Sequence, residues 1–130
     1  MKTLRRYLPV ILWSGVIFLF SSWETPPSPQ DTLLNFLLKK TAHLIEYAIL
    51  YYLAFRAANT EGSHPSERKD ANLSSARYIL PLIFTLLYAV SDEIHQSFVS
   101  GRHGQTADVL IDSAGALIAL LKIKISNSRQ

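Results

Sequence analysis

Four apolar runs punctuate the chain: YLPVILWSGVIFLF (Tyr7 to Phe20), TAHLIEYAILYYLAF (Thr41 to Phe55), YILPLIFTLLYAV (Tyr78 to Val90) and ADVLIDSAGALIALL (Ala107 to Leu121). The first and third carry no charge on any face, whereas a helix bathed in water alternates an apolar stripe with charges at every turn. A soluble four-helix bundle is therefore the weaker reading. Each uninterrupted run is shorter than the roughly 20 residues that cross a bilayer, and each reaches that length once the polar residues at one of its ends join the helix. The pattern predicts an all-α, integral membrane four-helix bundle, one domain over residues 1–130. The spans are expected at about 7–23, 38–56, 78–97 and 106–122.

The intervening segments read as loops. Trp23 to Asp31 is a proline-rich stop with Trp23 placed as an interfacial anchor, and Asn59 to Ser75 is polar, broken by Gly62 and Pro65, with His64 incidental. Pro81 falls in the first turns of the third span, where it can kink a helix without breaking it. Gly101 and Gly104 flank Arg102 and His103 in a short hairpin, and Gly115 between Ala114 and Ala116 lets another helix come close. A cleaved signal peptide is the rival reading of the first run, but SSWETPP offers no small-x-small cleavage pattern, so a retained span is expected. The chain shows no internal repeat.

Composition changes this picture little. A hydrophobic content of 48% is ordinary, and the absence of cysteine excludes disulfides and thiolate metal sites. The net charge of +3 matters through its placement, because ten of the 13 Lys and Arg residues flank the spans on one side of a four-span layout. Only Lys39, Lys40 and Arg102 fall on the other side. The positive-inside rule then puts both termini and the 56–77 loop in the cytoplasm. Basic residues spread as membrane flanks form no contiguous patch, so nucleic acid is not an expected partner.

At about 100° per residue, Lys40, His43 and Tyr47 share one stripe of their helix, with Glu46 at its edge. Tyr88, Asp92, His95 and Gln96 share another, Glu93 stands about 100° from Asp92, and Asp108, Asp112 and Gly115 lie on one line. All three stripes occupy the non-cytoplasmic ends of their spans. An ionisable group at membrane depth costs several kcal/mol unless it faces protein or a wet cavity. Glu46, Asp92, Glu93, Asp108 and Asp112, with Lys40, Arg102 and His43 as cationic partners, therefore predict a shared polar pocket opening outward. Pairwise salt bridges that merely fix helix packing are the plainer alternative. In the pocket reading, Lys40 and Arg102 take a phosphate, and Tyr47, Gln96, Asp108 and Asp112 complete the binding surface. Asp92 or Glu93 would be a general base and His43 an acid or base. The acids with His43 and His95 could hold a hard divalent cation, but no spacing is diagnostic, so metal and cofactor stay unassigned. Lys39 and His103 fit the interface better than the site.

KTAHLIEYAIL (Lys40 to Leu50) and YAVSDEIHQSFVSGRHGQTADVLIDSAGALIA (Tyr88 to Ala119) resemble the VanZ-like family. They carry its K-x-x-H-x-x-x-Y block at Lys40, His43 and Tyr47, and its D-E-x-x-Q-x-F block at Asp92, Glu93, Gln96 and Phe98. The third block, G-R-x-x-x-x-x-D-x-x-x-N/D-x-x-G, falls on Gly101, Arg102, Asp108, Asp112 and Gly115. The blocks cover somewhat under half of the chain, and Asp112 stands where many relatives have Asn. The resemblance implies a small multi-pass protein of the bacterial cell membrane, in a family named for a member that raises resistance to teicoplanin. Two function classes remain open. One is a cell-envelope accessory protein that binds a membrane lipid headgroup or a lipid-linked wall precursor. The other is a membrane-embedded hydrolase or transferase acting on a lipid-linked phosphate or glycan. A transporter would require four short spans to oligomerise, and the sequence leaves the oligomeric state open.

Overall fold

A computed structural model of the chain describes residues 2–23, 33–59, 71–102 and 106–129. They form four α-helices, α1 (Lys2–Ser21), α2 (Leu33–Asn59), α3 (Ala71–Gln96) and α4 (Thr106–Ser128), with no strand among the described residues. Two of them are long and apolar enough to cross a membrane, over Leu4–Ser21 and Ser75–Gln96. α2 begins well before residue 38 because LLNFLL holds neither Gly nor Pro. For the same reason α3 starts at Ala71, inside the stretch expected to be loop as far as Ser75. His64, His103 and Gly104 lie outside the described residues.

The helices alternate in direction, so the C-terminal ends of α1 and α3 meet the N-terminal halves of α2 and α4. α2 touches all three other helices and makes its most extensive contact with α4, while α1 leans on α2 and α3. Val10 and Ile17 of α1, Tyr47, Leu50 and Ala57 of α2, and Ala89 of α3 form the apolar core, with Val109 of α4 packed against it. One glycine sets the α2–α4 distance. A Cβ at Gly115 would lie 2.2 Å from the Leu44 carbonyl oxygen, so the two backbones are in direct contact there.

Pro81 is absorbed within α3, as expected. Its missing N–H deprives the Arg77 carbonyl of its helical donor. Asn59 Nδ2, at the end of α2, donates to that carbonyl at 3.3 Å, and Thr85 Oγ1 donates to the Pro81 carbonyl at 2.8 Å. Burial is inverted relative to a water-soluble bundle. Leu12, Leu19, Leu80, Leu87 and Leu110 are each more than half exposed, whereas Asp92, Glu93, Gln96, Asp108 and Asp112 are buried.

Candidate functional site

α2 and α4 run parallel, and their polar residues meet level by level along one seam. Lys40 Nζ donates to Asp108 Oδ1. One turn further, His43 Nδ1 lies 3.1 Å from Asp112 Oδ1, and then the backbones touch at Leu44 and Gly115. The i, i+3 spacing of Lys40 and His43 on α2 thus matches the i, i+4 spacing of Asp108 and Asp112 on α4.

α3 adds its C-terminal turn. Gln96 Nε2 donates to Asp92 Oδ2 at 2.9 Å, and Gln96 Oε1 accepts from Arg102 Nη1 at 3.2 Å. Past Gln96 the chain closes in tight turns, with Gly101 at φ 75°, a left-handed conformation that suits glycine. The turns bring Arg102 back over the end of α1, where Nη2 donates to the Phe20 carbonyl at 2.8 Å and Nε to the Trp23 carbonyl at 3.2 Å.

These side chains surround a cleft of about 990 Å³. Lys39, Lys40, His43, Glu46, Asp92, Gln96, Arg102 and Asp108 supply its polar lining, and Phe20, Trp23, Leu33 and Phe36 its apolar lining. Glu93, Tyr47 and Asp112 lie buried behind this lining. One ligand atom each from His43, Glu93 and Asp112 falls within 4.8 Å of the other two. Tyr47 is fully buried, with Asp92 and Asp112 as its charged neighbours.

The seam therefore places the K-x-x-H pattern of α2 against the D-x-x-x-D-x-x-G pattern of α4. A family model described as VanZ/LLP1 matches residues 3–127. The chain belongs to the VanZ/LLP1 family. No curated protein and no solved structure matches it. The VanZ/LLP1 match takes in α1 and the α2–α3 connection, which lie outside the three motif blocks.

The structure brings Lys40, His43, Tyr47, Asp92, Glu93, Gln96, Arg102, Asp108 and Asp112 to one end of the bundle. His95 does not join them, although it shares a stripe with Asp92. Its Nε2 lies 2.9 Å from Ser22 Oγ and its ring stacks on Phe18 at 4.5 Å, so it fastens α3 to α1. Lys39, expected at the interface, lines the cleft instead, because α2 begins early enough to carry it along the cleft wall. The contribution of α1 was not legible in the sequence. Phe20 and Trp23 offer backbone carbonyls and apolar side chains, neither of which leaves a signature in a motif.

Proposed function

We propose that this VanZ/LLP1 protein is a four-span protein of the bacterial cell membrane, with both termini cytoplasmic, whose outward-facing cleft binds the phosphate-bearing headgroup of a lipid or lipid-linked wall precursor. The observation that carries this reading is a cleft of about 990 Å³ that is polar inside and bordered by aromatic and leucine side chains. A water-soluble surface rarely combines so many exposed leucines with buried carboxylates, whereas in lipid the apolar faces are solvated and the ionisable groups turn inward. The same cleft can admit a charged headgroup while its apolar border meets the attached chain. Lys40 and Arg102 both retain donors beyond those used internally, since an ammonium has three and a guanidinium five.

The His43–Asp112 pair favours a second reading, a hydrolase or transferase on the same class of molecule. A carboxylate against one ring nitrogen orients an imidazole for proton transfer, and Asp92 lines the cleft where a base would act. Comparing the lipids and wall precursors of strains with and without the gene separates the two. An altered product establishes the enzyme, whereas unchanged chemistry with altered sensitivity to glycopeptides establishes the binder. Topology is tested by reporter fusions after Gly62 and after Arg129, both of which should report cytoplasm. An external signal from either overturns the layout.

A further inference from the structure

Five carboxylates gather in the cleft and behind its lining. Glu46, Asp92 and Asp108 line the cleft with Lys39, Lys40, His43 and Arg102, and Glu93 and Asp112 lie buried behind that lining. Buried carboxylates gathered so closely repel one another, and a cation held among them relieves that repulsion. We propose that His43, Glu93 and Asp112 bind a divalent transition cation, of the zinc or manganese class, behind the lining of the cleft.

Geometry supports this. Three atoms no more than 4.8 Å apart share a point about 2.8 Å or less from each. Side-chain rotation closes the remaining gap to the 2.0–2.2 Å of zinc bonds to nitrogen and oxygen. Asp112 is fully buried, and its Oδ2 has no hydrogen-bond partner among the described residues, leaving an oxygen in reserve beside the one that meets His43. The buried Tyr47 hydroxyl, beside Asp92 and Asp112, adds an acceptor and donor that could order a metal-bound water. One imidazole with two carboxylates suits a first-row transition ion better than calcium or magnesium, which favour oxygen alone. Three protein ligands leave coordination positions open. His43 lines the cleft, so a cation held there can present one of those positions to an incoming phosphate oxygen. That role rests on the cleft reading, whereas cation binding itself does not.

The test uses the full chain in nanodiscs, stripped with chelator and then equilibrated with Zn²⁺ or Mn²⁺ alone. Wild-type protein should retain close to one ion per chain by elemental analysis, and Mn²⁺ pulsed EPR should show a coordinated nitrogen. Glu93→Gln and Asp112→Asn should each weaken retention about 100-fold or more, beyond the 10- to 100-fold typical of losing an outer-shell partner. Asn59→Ala, at the far end of the bundle, should retain the ion like wild type. No retention of either metal by wild type, retention undiminished in both carboxylate variants, or bound Mn²⁺ without nitrogen coupling each overturns the proposal. If the carboxylate variants fail to insert, the wild-type stoichiometry and the nitrogen coupling decide. Because the probe is the metal alone, its failure leaves headgroup binding to be judged separately, and the reverse holds as well.

Discussion

The two ends of the bundle use polar side chains in opposite ways. At the end that carries the chain termini, donors mostly clasp backbone carbonyls. Arg6 Nε donates to Ala57, Asn59 Nδ2 to Phe55 at 2.7 Å and to Arg77 at 3.3 Å, and Tyr51 to Tyr78 at 3.3 Å. Phe55 stacks on Tyr78 at 5.2 Å, with the Arg77 guanidinium 4.8 Å above the Tyr78 ring. At the other end, about 25 Å away along α2, ionisable and amide side chains pair with one another, across helices or within α3. Lys40 meets Asp108, His43 meets Asp112 and Gln96 meets Asp92. Arg102, gripping two carbonyls of the α1 end, and Ser22, donating to the Phe18 carbonyl at 2.7 Å, are exceptions on that side. A donor on a carbonyl satisfies a helix end in almost any surroundings. Buried ionisable groups are different, because their desolvation often exceeds what their pairing returns. Stability accounts for the first end and leaves the second unexplained, which is why function is placed there.

The contrast breaks most visibly at Gly115. In Gly115→Ala the added Cβ collides with a backbone oxygen that no rotamer change can move, so α2 and α4 must separate. The expected loss is about 3 kcal/mol, the upper part of the range for overpacking, measured by thermal unfolding in detergent. The His43–Asp112 contact would be lost with it. A Gly115→Ala protein with unchanged melting would show that the seam can spread freely.

Asp92→Asn and Arg102→Ala sharpen the comparison from the functional side. Both should express and reach the membrane, because removing a charge at a span end eases insertion, and both should abolish the phenotype. Arg102→Ala should also lose about 1–2 kcal/mol with its partly exposed hydrogen bonds. Retention of the phenotype by both variants would remove the reason for placing function at this end.

At the far end the expectation reverses. Asn59→Ala strips the donor that serves the carbonyl orphaned by Pro81 and should cost about 1 kcal/mol, with no change in phenotype or ion retention. Arg6→Ala should be smaller still, about 0.5–1 kcal/mol, and equally silent in function. A functional defect from either would mean that the two ends are coupled.

The sequence by itself determined four helices, the single Pro-bearing turn of α3, and the concentration of polar stripes at one end, because each is a property of one helix and its period. The stripe of Lys40, His43 and Tyr47 needed nothing beyond a rotation of about 100° per residue. The tertiary structure decided which stripes face each other. His43 meets Asp112, Asp108 takes Lys40, and His95 turns to Ser22 and Phe18 although it lies on the stripe of Asp92. A helical wheel fixes angles about one axis and is silent on the rotation and axial offset of its neighbours. Those two quantities are set where backbones touch, at Leu44 and Gly115, and where the turn after Gln96 lays Arg102 over the carbonyls of α1. Glu93 joins His43 and Asp112 for that reason: the approach of α3 to the α2–α4 seam decides its company, and its own position in the sequence does not.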